Sequence, residues 1–230
     1  MSKPLILVTN DDSIVAPGIR TLIEVMKEIG DVVVVAPDSP QSGMGHAITI
    51  NNTLHLDRVY LDKKIEHEYS CSGTPVDCVK MAVHEILKRK PDLCVSGINH
   101  GSNSSINVIY SGTMSAAVEA GIEGIPAIGF SHLDYGWDTD FEPVKQYVKK
   151  IALEVLHNGL PDGIVLNVAS FILKPGQIVG VREKSKALLT IADSLKARNA
   201  KRYNWLEWDA TEMVGKFINY PERDQIPENF

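Results

Sequence analysis

Leu5-Ile6-Leu7-Val8-Thr9-Asn10-Asp11-Asp12 is the stretch on which the fold turns, because a short apolar run stops abruptly at an amide and two adjacent carboxylates. Such a run reads as a buried parallel strand with its polar residues at the C-terminal tip. Working outward, Pro17 stands at a first helical position, Ile19, Leu22, Ile23, Met26 and Ile29 recur at helical spacing, and Gly30 closes the helix. Asp31 to Ala36 (DVVVVA) is a second buried strand. Strand, helix and strand in that order begin a right-handed parallel sheet.

The same rhythm returns further along. Pro37 to Gly45 reads as a loop, and Ala47 to Tyr69 as short alternating segments such as Leu54-His55-Leu56, hairpin-like excursions from the main sheet. Thr74 is placed to cap a helix with Pro75 at its first position and Val76, Val79, Val83, Ile86 and Leu87 toward the core. Pro91 ends it before the strand Asp92 to Ser96, and Gly97 to Tyr110 follows as a long polar loop. Ser111 to Gly121 reads as a helix of small residues, Ala127 to Ser131 as a strand, Phe141 to His157 as an amphipathic helix and Gly163 to Val168 as a strand. The expectation is an α/β fold built on an open, doubly wound, mainly parallel sheet. Beyond it, Gln177 to Arg182 is a candidate strand, Ser185 to Lys201 has a loose helical period, and the tail from Asn219 is expected to be poorly ordered.

With 230 residues the chain can bury a substantial core without disulfides. Its three cysteines, Cys71, Cys78 and Cys94, form no CxxC pair and lie in or beside apolar runs, as small core residues do in a reducing compartment. Met1 to Lys3 runs straight into a strand with no apolar leader, and no segment approaches the ~18 unbroken apolar residues of a membrane span. A cytoplasmic location with no membrane partner is expected. Net charge is −6, and basic residues are scattered apart from Lys196 to Arg202, so no footprint for a nucleic-acid polymer exists.

In an open parallel sheet, ligands bind beyond the carboxyl ends of the strands. That rule selects the loops Asn10 to Pro17, Pro37 to His46 and Gly97 to Thr113. Two adjacent ionised carboxylates, Asp11 and Asp12, need positive charge nearby, and a hard divalent cation supplies it. Ser42 and Asn99 offer oxygens from the other two loops. A capping or turn pair before the first helix is the competing reading of the aspartates. Gly97 to Gly101 and Tyr110 to Thr113 place small residues and hydroxyls before a helix whose free N–H groups favour phosphate, although a Ser or Thr cap explains the second stretch as well. His46 and His100 are candidates to donate to a phosphate oxygen or to act as a general acid, against structural or merely solvated roles. HExxH, a Cys and His quartet, the P-loop pattern and GxGxxG are all missing from the sequence.

Asn10-Asp11-Asp12 with Ala16-Pro17-Gly18, Ala36-Pro37-Asp38 with Ser42-Gly43 and Gly45-His46, and Ser72-Gly73-Thr74-Pro75 with Asp77-Cys78 together resemble one family. Ser96 to Asn103, followed by Tyr110-Ser111-Gly112-Thr113 and the Ala116-Ala117 helix, complete the resemblance to the SurE stationary-phase survival proteins, a family of 5′-nucleotidases. The resemblance runs in order from about Lys3 to about Ala169. It implies a Rossmann-like, three-layer catalytic domain over residues 1–175, a smaller C-terminal oligomerising extension over 176–230, and a homodimer or homotetramer. It implies one divalent metal ion per subunit, Mg²⁺ or Mn²⁺, held by Asp11, Asp12, Ser42 and Asn99. It also implies phosphate binding by Gly43, Asn99, Ser111, Gly112 and Thr113, with Asn103 beside them. Two departures stand out: Ser13 replaces the family's usual Gly after the two aspartates, and Glu183 to Lys201 follows the family pattern poorly. The family's C-terminal exchange elements extend past the position of Phe230.

The implied reaction is hydrolysis of nucleoside 5′-monophosphates to nucleoside and phosphate, with 3′-nucleotides and short polyphosphates as further substrates. Attack by a metal-activated water is expected, with Asp11 and Asp12 as the catalytic carboxylates, because no nucleophile and base are recognisably paired. A covalent haloacid-dehalogenase-type phosphatase would want DxD spacing. A receiver domain would be near half this length and needs a later Lys, and a non-catalytic metal and nucleotide binder is the third alternative.

Overall fold

The computed structural model describes residues 3–62, 65–103, 105–136, 138–170, 176, 178–180, 204–209 and 211–220. The chain divides into two compact units, Met1–Phe171 and Ile172–Phe230. In the first, β1 (Leu5–Thr9) leads into α1 (Pro17–Lys27), β2 (Asp31–Pro37), β3 (Leu56–Arg58), β4 (His67–Cys71) and α2 (Pro75–Met81). β5 (Leu93–His100), α3 (Gly112–Ile122), β6 (Ala127–His132), α4 (Lys145–Asn158) and β7 (Leu166–Ser170) follow. The seven strands form one sheet in the order β3-β4-β2-β1-β5-β6-β7, and only the β3–β4 pair is antiparallel.

From β1 the chain builds outward through β2 to β4 and then returns to place β5 on the other side of β1. The reversal leaves a crevice at the carboxyl ends of β1 and β5, where Thr9 lies in register with Ser96. Alternation along the strands divides the core between two faces. Ile6, Val8, Val34, Val95 and Phe130 pack under α1 and α4, whereas Leu7, Val33, Val35, Cys94 and Ala127 pack under α2 and α3. The expected three-layer α/β arrangement is what forms.

Local chemistry accounts for the helix starts. Pro17 opens α1, and Lys27 in its last turn suits the negative end of the helix dipole. Thr74 and Asp77 make a reciprocal capping box on α2: Asp77 N donates to Thr74 Oγ1 at 3.1 Å, and Thr74 N donates to Asp77 Oδ2 at 2.9 Å. The sequence pattern carried this helix to Leu87, but after Met81 the winding loosens into a π turn over Ala82–Ile86, closed by Leu87 N donating to Ala82 O at 2.9 Å.

A second difference bears on the site. β5 runs through Gly97, Ile98, Asn99 and His100, which the composition had suggested were loop. A shift in register between Ser96 and Asn99 absorbs the change and lets Asn99 and His100 pair with Ser131 and His132 of β6. Gly18 of α1 lies against this irregular segment so closely that a Cβ there would stand 2.0 Å from Ile98 O. Glycine is required at that contact.

The second unit contains β8 (Ile178–Gly180), β9 (Leu206–Asp209) and β10 (Val214–Phe217) as an antiparallel sheet ordered β8-β10-β9. Buried Phe217 meets the rings of Trp205 and Tyr220 edge-on, with centroids 6.4 and 5.5 Å away. β8 falls within the strand expected over Gln177 to Arg182. The helical period of Ser185 to Lys201 and the tail after Tyr220 lie outside the described residues.

Candidate active site

The polypeptide leaves β1 through Asn10, Asp11 and Asp12, and Asn10 shapes the turn that follows. Its Nδ2 donates to Ser13 O at 2.8 Å, and Ala16 N donates to the same carbonyl at 3.1 Å. Ser13 is buried with φ at 90°, in the left-handed region that favours glycine. Ser13→Gly is expected to relieve this strain and to stabilise the protein by about 1 kcal/mol after the entropic cost of Gly in the unfolded chain. Thermal unfolding checks it: Tm should rise by roughly 2–4 °C.

Asp11 is buried and faces the start of α3. Thr113 Oγ1 donates to Asp11 Oδ1 at 2.5 Å, and the Thr113 backbone N–H reaches the same carboxyl. A Cβ on Gly112 would lie 2.6 Å from Asp11 Cβ and 2.9 Å from its Oδ2, so the helix start and the carboxyl group are in direct contact. Burial pushes the Asp11 carboxyl up to about 6; the Thr113 hydroxyl works against this and the charge of Asp12 adds to it. Asp12 is half-buried, and burial raises it as well, opposed by the charge and the backbone N–H of His100 at the end of β5.

Backbone bonds join the three loops. Ile14 N donates to Pro37 O at 2.9 Å, Gln41 N to Asp11 O at 2.7 Å and Gly45 N to Tyr110 O at 3.3 Å. Ser42 and Gly43 are therefore carried by a segment anchored to Asp11 on one side and to the approach to α3 on the other. Gly43 itself is exposed at φ 77°. Asn99 donates through Nδ2 to Asn103 Oδ1 at 3.0 Å, which engages the donor end of its amide. Asn103 is buried, and its own backbone carbonyl accepts from Asn167 Nδ2 of β7 at 2.8 Å.

Ser111 is the N-cap of α3, its Oγ accepting from Met114 N at 3.1 Å, so the structural reading of this hydroxyl is realised. His100 sits edge-on to Phe141 with centroids 5.1 Å apart, its Nδ1 3.4 Å from Asp134 O. His46 is engaged by α3: its Nε2 is 2.8 Å from Glu119 Oε2.

Several buried polar atoms around this crevice have no hydrogen-bond partner: Thr9 Oγ1, Asn10 Oδ1, Ser96 Oγ and Asn103 Nδ2. Unsatisfied groups of this kind are costly unless a bound species answers them. Among the described residues no group of three or more His, Cys, Asp or Glu is placed to hold a metal. The loops joined by these backbone bonds carry two carboxylates, a hydroxyl and an amide oxygen, donor types that suit a hard divalent cation.

Sequence reasoning missed Asn167 and Glu119. Asn167 reaches Asn103 across 64 residues, and nothing local announces such a contact. Glu119 had a signal, being the one charged residue of the helix GTMSAAVEAGI. It is buried, and Lys80 Nζ lies 2.6 Å from its Oε1. Burial raises its carboxyl, but Lys80 and His46 outweigh that and bring it below its ordinary value of 4.5. A depressed acid contributes stability that is present above its unfolded value and lost as pH falls through the folded one. Between roughly pH 5 and 3, Tm of the native protein should therefore fall more steeply than that of Glu119→Gln. Parallel curves would contradict this.

The family model described as Survival protein SurE matches residues 6–192. The chain is 64% identical over 231 residues to the 5′-nucleotidase SurE of Flavobacterium psychrophilum, an alignment covering 99% of this chain and 87% of that protein. It is 70% identical over 223 residues to the 5′-nucleotidase SurE of Cytophaga hutchinsonii, covering 95% of this chain and 83% of the other. The crystal structure of the SurE protein from Aquifex aeolicus superposes with a TM-score of 0.68 at 29% identity, covering 96% of this chain and 86% of that one. With most of its length matched in sequence and in fold, the chain belongs to the SurE family.

Proposed function

We propose that the crevice at the ends of β1 and β5 is the active site of a divalent-metal-dependent phosphatase that hydrolyses nucleoside 5′-monophosphates. The carrying observation is the contact of Asp11, beside Asp12, with the positive end of α3, in a crevice whose three loops are tied together by backbone hydrogen bonds. The names of the similar SurE proteins, 5′-nucleotidases, support the substrate class.

Asp11, Asp12, Ser42 and Asn99 are the residues that would hold the ion, Mg²⁺ or Mn²⁺. When bound, such a cation supplies positive charge that acidifies water and screens a phosphate dianion. Asp11 orients the attacking water and accepts its proton, a role suited to a buried carboxylate held in place by Thr113. Asp12 stays on the cation side, steadied by the His100 backbone N–H. Gly112 N–H and the dipole of α3 receive charge on the transferring phosphoryl group, with Ser111 acting as the cap that keeps the helix end in place. Gly43 lets the neighbouring backbone approach a phosphoryl oxygen. Three buried, free cysteines support a reducing, cytoplasmic setting, and no helix among the described residues is long and apolar enough to cross a membrane. The family resemblance supports a homodimer or homotetramer, which sedimentation can read.

Phosphate release from nucleoside 5′- and 3′-monophosphates and tripolyphosphate tests the substrate class. The 5′-monophosphates should be turned over fastest, and in ¹⁸O-water one turnover should put the label directly into phosphate. A trapped phosphoenzyme, or faster cleavage of tripolyphosphate than of any nucleotide, would overturn the proposal.

A further inference from the structure

We propose that Glu119 is a positioning residue that acts through His46: one carboxylate, far from the reacting atoms, pins the loop carrying Ser42 and Gly43 onto the helix whose start grips Asp11. The inference rests on the reading of Ser42 as a cation ligand.

α3 touches the site twice. At its first turn Thr113 and Gly112 meet Asp11. Six residues later, about 9 Å along the axis, Glu119 meets His46 at the end of the Ser42 loop. Gln41 N ties the near end of that loop to Asp11 O at 2.7 Å, and α3 is the rigid element that bridges Asp11 to its far end.

Glu119 divides its two oxygens. Oε1 takes Lys80 Nζ at 2.6 Å and Oε2 takes His46 Nε2 at 2.8 Å, while the side chain is only 5% exposed. A purely structural pair between α2 and α3 would be complete with Lys80. Glu123, 3.8 Å from the same Lys80, already offers a second bridge between those helices. The contact to His46 adds nothing to helix packing and reaches only the loop.

The loop needs such an anchor. Ser42, Gly43 and Met44 are exposed and Gly43 has positive φ, so this span has little packing of its own; Gly45 beyond it is buried but held by backbone alone, its N–H donating to Tyr110 O at 3.3 Å. Past His46 the chain is docked again: Thr74 Oγ1 donates to Ala47 O at 2.7 Å, and Thr49 Oγ1 donates to Asp77 Oδ2 at 2.6 Å. His46 is the side-chain fastening between the exposed span and the docked one.

The test measures hydrogen exchange and Mn²⁺ binding by calorimetry on the whole, metal-free chain. The native protein is compared with His46→Ala, His46→Gln, Glu119→Gln and Lys80→Met. In His46→Ala and Glu119→Gln, exchange at the amides of Gln41, Met44 and Gly45 should quicken about tenfold and the Mn²⁺ dissociation constant should rise by a similar factor, the scale of one charge-assisted hydrogen bond. His46→Gln retains a donor of similar reach and should restore both values to within about twofold. Lys80→Met should lower Tm and leave loop exchange as it was. Native exchange and native affinity in His46→Ala would overturn the inference, even if Glu119→Gln fails to fold. If the native protein binds no Mn²⁺, the reading of Ser42 as a ligand fails separately, and exchange at the three amides still decides whether Glu119 anchors the loop.

Discussion

Asp11→Asn is expected to lower turnover of a nucleoside 5′-monophosphate by about 10³-fold or more while leaving the protein folded. The amide is isosteric, and its oxygen still accepts the hydrogen bond from Thr113, so the contact with α3 survives. Its carboxylate charge does not. That charge is what pairs with Asp12 to demand a cation, and it is the group assigned to take a proton from water. The readout that separates this from misfolding is thermal: Mn²⁺ at a large excess over its dissociation constant should raise Tm of the native protein and leave that of Asp11→Asn nearly unmoved. Native turnover in the folded variant would remove Asp11 from the mechanism.

Gly112→Ala carries the second-largest expected effect. Alanine normally improves a helix, yet here its methyl would stand 2.6 Å from Asp11 Cβ and 2.9 Å from Oδ2. Something must move. The cheapest movement is a displacement of the Asp11 carboxyl from the start of α3, and a shift approaching 1 Å in such a group costs about 10²-fold in rate. The overpacking should cost about 1–3 kcal/mol, leaving a folded protein with a modestly lowered Tm. Kinetics of the purified variant check this. Unchanged turnover would mean that the contact between Asp11 and α3 is incidental to catalysis.

Much of this architecture was readable in the chain because its signals are local. An apolar run ending in Asn10-Asp11-Asp12, the Pro17 helix and the valines of β2 each announce themselves within a few residues, and together they force a parallel sheet. The Thr74-Pro75 start of α2 was legible for the same reason. Asn99 was nominated from its loop chemistry, but its placement on β5 was not visible, because polar residues after Ser96 read as coil unless the register shift against β6 is known. Ser111 reads from the sequence as cap and as phosphate ligand, and its bond to Met114 establishes the cap. From the sequence His46 reads as a donor to phosphate, a general acid or a structural residue. Its partner is Glu119, 73 positions away, and only the packing of α3 against the loop could reveal that pairing. Asn167 was invisible for the same reason, since a contact across 64 residues leaves no trace in spacing or composition.

The central claim is that Asp11, Asp12, Ser42 and Asn99 hold a cation on which nucleotide hydrolysis depends. Release of inorganic phosphate from adenosine 5′-monophosphate tests it most directly, measured with Mn²⁺, with EDTA, and with EDTA followed by excess Mn²⁺, for the native protein and for Asn99→Ala. Rapid release with Mn²⁺, none with EDTA, full recovery on adding the ion back, and a requirement for much more Mn²⁺ in Asn99→Ala are expected. Release that persists in EDTA, or an Asn99→Ala variant with the native dependence on Mn²⁺, would contradict it.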